Sequence, residues 1–256
     1  MELFDTHSHY NDEKFDNDRE EIINQTYKSG VTRFICAGYD LESSIKAVEI
    51  SNKYDYIYSI VGISPNDITD DIERNIGKIE KIAKNTKVVA IGEIGLDYYW
   101  NKENKGQQKQ AFIKQIELAN KLNLPIVIHT RDAIFDTLDI LKNTICPNKK
   151  GIIHCCPMNS DLIKEALKLG FYISFAGPIT FKNAHNADEA IKLVPMDKIL
   201  IETDSPYLAP EPLRGTRNDS RNVIYMAKKI AQVKEKTVEE IAKITYENAL
   251  KIFNLE

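Results

Sequence analysis

Cysteine is scarce in this 256-residue chain: Cys36, Cys146, Cys155 and Cys156 are all there are, and two of them are adjacent. Adjacent cysteines make a poor disulfide framework, so a reduced, cytoplasmic chain is expected. Long apolar runs are missing; none approaches the ~18 residues of a membrane span. The N-terminal stretch MELFDTHSHY has neither the basic nor the apolar region of a secretory signal. No sign of charge dominates, since 34 Lys and Arg face 38 Asp and Glu for a net charge of −4. That balance argues against a histone-like or arm-type nucleic-acid binder. It leaves open an enzyme that acts on nucleic acid, which needs positive charge only around its site and can draw it from bound metal. Linkers, low-complexity tracts and long like-charge runs are also lacking, and a single domain over residues 1–256 is expected.

What is present is a core. Hydrophobic residues make up 43% of the chain and charged residues 28%, too apolar for a disordered polypeptide. Short β-rich runs recur at Leu3 (LFDTH), Thr32 (TRFICA), Ile57 (IYSIVGI), Lys87 (KVVAIGE), Pro125 (PIVIHT), Gly151 (GIIHCC), Phe171 (FYISF) and Lys198 (KILIETD). Helical patterns separate them, such as FIKQIELANKL at 112–122 and DLIKEALKLG at 161–170, which stops at Gly170. The last begins TVEE, with Thr237 and Glu240 at the spacing of a capping box. Eight β-then-α units predict an α/β fold, a (β/α)₈ TIM barrel with a C-terminal helix. Apolar runs of this kind suit parallel strands buried on both faces. An open doubly wound sheet is the alternative.

Histidine is rare, and its placement is informative. His7 and His9 fall at the end of the first predicted strand, His129 at the end of the fifth and His154 at the end of the sixth; only His185 lies elsewhere. Glu93 ends the fourth strand and Asp204 the eighth. In a barrel, the C-terminal strand ends form the active-site face. Strict alternation places Leu3, Asp5, His7 and His9 on one face, Val89, Ile91 and Glu93 on another, and Glu202 with Asp204. Taken singly, each residue has a bland reading: a surface His-x-His, a hydrogen-bonded core histidine, a loop carboxylate. Together they do not, because a barrel gains nothing from burying four imidazoles and two carboxylates in one place. Divalent metal is the simplest compensation. Nitrogen and oxygen donors suit Zn²⁺, Mn²⁺ or Co²⁺, whereas Mg²⁺ prefers oxygen-rich sites.

Several segments also resemble one family in order along nearly the whole chain: FDTHSH at 4–9, GEIGLDYY at 92–99, LPIVIHTRDA at 124–133, GIIHC at 151–155, LIETDSPYLAP at 200–210, RGTRN at 214–218 and YENALKIF at 246–253. These motifs are similar to those of the TatD-like metal-dependent hydrolases of the amidohydrolase superfamily, known mainly as deoxyribonucleases. The resemblance implies two divalent metal ions. His7, His9 and Asp204 would hold one, His129 and His154 the other, and Glu93 would bridge them. It also implies a DNA substrate, single-stranded and trimmed from its 3′ end, in DNA repair or degradation. The metals would activate a water and polarise a phosphoryl oxygen, with Asp204 orienting the water and accepting its proton.

For such a substrate Arg131, Lys182, Arg214 and Arg217 are candidate phosphate contacts; each has a plain surface-charge reading as well. Tyr98, Tyr99 and Trp100 either stack on a base or pack beneath their loop. The chain departs from the family at Ser64, where a histidine is usual, at Cys156, Pro157 and Met158, and at Asn218, Asp219 and Ser220. These departures touch no expected ligand and bear on substrate preference. Two other readings stand beside the nuclease. One is an ester or amide hydrolase, such as a D-aminoacyl-tRNA deacylase. The other is a non-enzymatic metal-binding scaffold, which the complete donor set disfavours. No membrane association and no obligate protein partner is expected.

Overall fold

Strands begin within one residue of every position the apolar runs predict. The computed structural model describes residues 1–69, 71–144 and 151–255, so Cys146 lies outside the described residues. The strands are β1 (Leu3–Ser8), β2 (Val31–Ala37), β3 (Ile57–Val61), β4 (Val88–Asp97), β5 (Ile126–Arg131), β6 (Gly151–Ile153), β7 (Tyr172–Phe175) and β8 (Ile199–Ile201). The helices are α1 (Arg19–Lys28), α2 (Leu41–Lys53), α3 (Ile72–Ile82), α4 (Lys105–Leu122), α5 (Ile134–Thr144), α6 (Ser160–Lys168), α7 (Ala187–Leu193), α8 (Val223–Lys234) and the C-terminal α9 (Val238–Phe253). Thr237 and Glu240 form the expected capping box of α9. Gly170 takes a positive φ of 84° just past α6, a conformation that favours glycine and stops the helix.

All neighbouring strands pair in parallel, in the order β1 to β8. The circle is completed between β1 and the segment after β8. There the Asp204 N–H donates to the His7 carbonyl at 2.9 Å and the His9 N–H to the Ser205 carbonyl at 2.6 Å. The buried Asp5 carboxylate reinforces this seam by accepting from the Thr203 N–H at 2.9 Å and the Thr203 hydroxyl at 2.5 Å. The architecture is thus a (β/α)₈ TIM barrel with an added C-terminal helix, and the doubly wound alternative falls.

The apolar side chains divide into two cores. Phe4, Ile35, Ile60, Val127, Ile152, Tyr172 and Leu200 form the inner one, stopped at its base by Ile252 and Phe253 of α9. Phe34, Val61, Ile128, Ile153, Ile173 and Ile201 face the helices and pack on residues such as Ile23, Phe112, Ile163 and Ile230. Adjacent strand residues thus serve opposite faces, as the pleat requires.

Strict alternation fails at two places, and both lie below the site. The β1–β2 register shifts between Asp5 and Ser8. Before the shift, Leu3 joins the helix-facing core while Phe4 and Thr6 point inward, Thr6 Oγ1 reaching Ser174 Oγ at 3.2 Å. After it, His7 and His9 turn into the barrel mouth. Leu3 and Asp5 therefore do not share their face, because a bulge advances the side-chain phase by one. Along β4, the register shifts between Ser59 and Ile60 against β3, and between Ile91 and Ile94 against β5. Val89 joins the inner core, Ile91 the outer one, and Glu93 enters the mouth, so these three do not share a face either.

Candidate metal centre

Five strand ends deliver the six functional side chains at the mouth. His7 comes from β1 and His9 from one residue past it, Glu93 from the bulged part of β4, His129 from β5, His154 from one residue past β6, and Asp204 from three residues past β8. Gly95 allows β4 to pass close to β5 at this level. Its φ is 143°, and a Cβ there would lie 1.9 Å from the His129 carbonyl oxygen.

The donors form two groups that share Glu93. His7 Nε2 and His9 Nε2 lie 3.2 Å apart. Asp204 Oδ1 is 3.2 Å from His9 Nε2 and 3.8 Å from His7 Nε2. Glu93 Oε2 is 3.5 Å from His7 Nε2 and 3.8 Å from His9 Nε2. The other oxygen, Oε1, faces the opposite way, 3.0 Å from His129 Nδ1 and 3.6 Å from His154 Nε2. Ligand atoms within each of the sets His7–His9–Asp204 and Glu93–His129–His154 lie within 4.8 Å of one another, close enough to hold a metal ion. The chemistry fits such an ion. Two imidazole nitrogens 3.2 Å apart can share only one proton, and the carboxylate oxygens beside them need a positive charge.

The far sides of three imidazoles are tied down. His9 Nδ1 lies 3.0 Å from the Ala37 carbonyl, His129 Nε2 2.9 Å from Asp97 Oδ2, and His154 Nδ1 2.8 Å from Glu202 Oε1. Partners of this kind fix ring orientation and raise the basicity of the inward nitrogen. The Cys155 N–H also donates to Glu202 Oε1 at 2.6 Å, so Glu202 anchors the turn after β6 as well as its histidine. His7 Nδ1 and Glu202 Oε2 are buried without a hydrogen-bond partner.

The electrostatics are those of a site that attracts cations. Burial alone would raise the Glu93 pKa, but His154, His129 and His7 pull it well below the usual carboxylate range. Asp204 is likewise pushed up by burial, and His9 and His154 bring it below its ordinary value. Burial disfavours the charged form of His129, yet Asp97 and Glu93 lift its pKa to about 9. His154 reaches about 10, with burial outweighed by Glu202 and Glu93. His9 is raised in the same way, against burial, by Asp204. His7 is lowered, by burial and by the neighbouring His154. Three of the four imidazoles, His9, His129 and His154, thus favour their charged form, and a cation bound there competes with a proton.

A cavity of about 760 Å³ opens above this floor, lined by His9, Glu93, His129, His154 and Asp204 below and by Tyr39, Asp67, Trp100, Arg131 and Tyr207 around the rim. Of the four basic residues singled out in the sequence, Arg131 lines the cavity; Lys182, Arg214 and Arg217 are not among its lining residues. Arg214 lies over the Phe181 ring at 4.3 Å, and Arg217 pairs through two nitrogens with Asp18. Ser64 stands at the rim and donates to Asp67 Oδ2 at 2.6 Å. Cys155 lines the cavity with a thiol that burial pushes well above its normal pKa, and Cys156 is buried. His185 is exposed in the loop before α7.

Asp97 and Glu202 are the site residues absent from the sequence-based ligand set. Asp97 escaped because β4 was expected to end at Glu93; the strand continues to Asp97 and carries a second carboxylate to the mouth. Its signal was the spacing within GEIGLD, which sets two acids four residues apart at a strand end.

Comparison with known proteins gives a consistent picture. Residues 4–254 match the family model described as TatD related DNase. The chain is 46% identical to the uncharacterized metal-dependent hydrolase YabD of Bacillus subtilis, covering 99% of each. It is 34% identical to the uncharacterized metal-dependent hydrolase YcfH of Escherichia coli K12, over 100% of this chain and 97% of the other. Among solved structures, the TatD homolog YjjV of Escherichia coli K12 superposes with a TM-score of 0.92 at 23% identity, over 99% of this chain and 98% of that one.

Proposed function

The chain belongs to the TatD-related family of metal-dependent hydrolases, and from that premise we propose that it hydrolyses phosphodiester bonds of DNA, trimming single strands from the 3′ end. The observation that carries this reading is Glu93, whose two oxygens turn to different imidazole pairs at the floor of an open cavity. Such a donor set suits two divalent cations, His7, His9 and Asp204 holding one, His129 and His154 the other, and Glu93 both. Zn²⁺, Mn²⁺ or Co²⁺ fits these nitrogen-rich donors better than Mg²⁺ does. When bound, the cations would polarise a phosphoryl oxygen and acidify a water.

The remaining steps belong to the side chains. Asp204, held as a carboxylate by the imidazoles around it, orients the attacking water and accepts its proton as the water oxygen bonds to phosphorus. The bond from phosphorus to the leaving sugar oxygen breaks, and that oxygen receives the proton from Asp204. Asp97 and Glu202 keep His129 and His154 aimed at the centre throughout. Arg131 meets the phosphate at the rim. Lys182 and Arg214, both exposed, meet phosphates farther along the strand, and Arg217 does so only by leaving Asp18. The free thiols of Cys36, Cys155 and Cys156 suit a reduced, cytoplasmic setting, and among the described residues no helix is long and apolar enough to cross a membrane.

The test is digestion of end-labelled single-stranded DNA by metal-stripped protein reloaded separately with Mg²⁺, Mn²⁺ or Zn²⁺, with Glu93→Gln purified in parallel. Metal-dependent shortening from the 3′ end, lost in the variant, is the expected result. No cleavage by protein shown to bind two cations would overturn the DNA reading and direct attention to ester substrates such as aminoacyl-tRNA.

A further inference from the structure

Trp100 is the only tryptophan in the chain and is 68% exposed, although burial is the usual fate of an indole. It stands on the rim of the cavity whose floor includes Glu93 and His129. Its position is not left to a free loop. Asp97 Oδ1 accepts the N–H of Tyr99 at 2.9 Å and of Trp100 at 3.1 Å, while Asp97 Oδ2 lies 2.9 Å from His129 Nε2. One carboxylate thus fixes both the turn that carries the indole and an imidazole at the floor of the site.

Arg131 completes the arrangement from the neighbouring strand. Its guanidinium lies 3.7 Å from the centre of the Tyr99 ring and 5.5 Å from that of Trp100, and the two rings meet edge to face at 4.9 Å. Among the described residues Arg131 forms no ion pair within 4.0 Å. The rim therefore holds a flat apolar face beside an uncompensated cation, both in fixed relation to the metal-binding side chains. A nucleotide offers the complement of each, a flat base and an anionic phosphate. Within a duplex, both faces of an internal base are covered by its neighbours, so only a terminal or unpaired base can lie on the indole.

We propose that Trp100, flanked by Arg131, is the stacking platform for an unpaired base of a single DNA strand whose phosphate enters the cavity. The proposal rests on the DNA reading above and adds the element that selects single strands. Because Trp100 is the only tryptophan, its emission reports the stack directly. The full-length protein, loaded with Zn²⁺, is titrated with a phosphorothioate oligothymidylate that resists cutting and with an abasic strand of equal length. Anisotropy of an end label measures binding.

Saturable quenching by the first strand, and binding of the second without quenching, are expected. Trp100→Ala should weaken the base-bearing strand about tenfold, within the range of base–aromatic stacking, and leave the abasic strand within about twofold. Trp100→Phe should recover most of the loss, and Arg131→Ala should weaken both strands. Unchanged emission with the strand bound, absence of binding, or equal affinity in Trp100→Ala would overturn the platform. DNA cleavage with a silent Trp100 would remove the platform and keep the nuclease. Quenching without cleavage by any cation would keep the platform and remove the nuclease.

Discussion

The two ends of the barrel are built by the same eight strands and are chemically opposite. At the base, Phe4, Ile60, Val127 and Leu200 meet Ile252 and Phe253 of α9 in an apolar plug. At the mouth, four imidazoles converge with the carboxylates of Glu93, Asp97, Glu202 and Asp204. Both ends are concave: a depression of about 440 Å³ lies beside the end of α9, against about 760 Å³ at the mouth. Size alone does not distinguish them. Among the described residues Lys251 is the only charged side chain lining the basal depression, whereas the mouth presents lone pairs aimed at common points. The base holds the strands in register, and the mouth spends that rigidity on chemistry.

The comparison breaks most visibly at Asp204. Asparagine keeps its size and hydrogen-bonding reach but cannot take a proton. Steady-state kinetics of Asp204→Asn should show kcat lower by about 10³-fold, within the span of general acid–base contributions, while circular dichroism stays unchanged. A loss below about tenfold would remove the proton-accepting role. The complementary change is at the base. Phe253→Ala opens a hole where the Phe4 and Phe253 rings meet at 6.1 Å, and should cost about 3–5 kcal/mol. Thermal unfolding should then shift downward by on the order of 10 °C, with kcat per folded molecule unaltered. If kcat fell as far as stability, the two ends could not be treated as separate.

The sequence made the barrel legible because its strands are buried on both faces and read as short apolar runs between amphipathic helices. The six ligand candidates were legible for a related reason: rare, costly residue types sat at the same end of successive strands. Side-chain phase was not legible in β1 and β4. A bulge is a backbone event, and nothing in LFDTHSH or KVVAIGEIG marks where alternation slips by one residue. Asp97 was hidden by that same uncertainty about where β4 ends. Arg131 and Arg217 looked alike as basic residues near motifs, yet one lines the cavity and the other is paired with Asp18, 199 residues away in sequence.

Asp97 offers a sharper cut, since it touches the site through His129, the rim residue Asn66 and the turn at Trp100 rather than as a candidate ligand. Asp97→Asn retains an acceptor for the backbone N–H groups but loses the charge that holds His129 Nε2. Cation affinity or activity should fall about 10–100-fold, as outer carboxylate partners of metal-binding histidines typically give. Titration of the stripped protein with Zn²⁺ against a competing chelator measures the first directly. Affinity equal to the parent would reduce Asp97 to a loop anchor.

The smallest effect is expected at Arg217. Its guanidinium donates to both Asp18 oxygens, at 2.9 and 2.5 Å, and to the Lys14 carbonyl at 2.8 Å. The Asp18 carboxylate beside it lifts its pKa above the ordinary arginine value. Reaching a DNA phosphate would mean giving up a formed ion pair for another of similar strength. The pair is partly exposed, so removing it should cost only about 0–1 kcal/mol. Arg217→Ala should therefore leave KM for a single strand within about twofold, whereas Arg131→Ala raises it more. A tenfold rise for Arg217→Ala would extend the working mouth to the loop before α8. It would show that proximity to a motif, rather than to the cavity, had been the better guide to function.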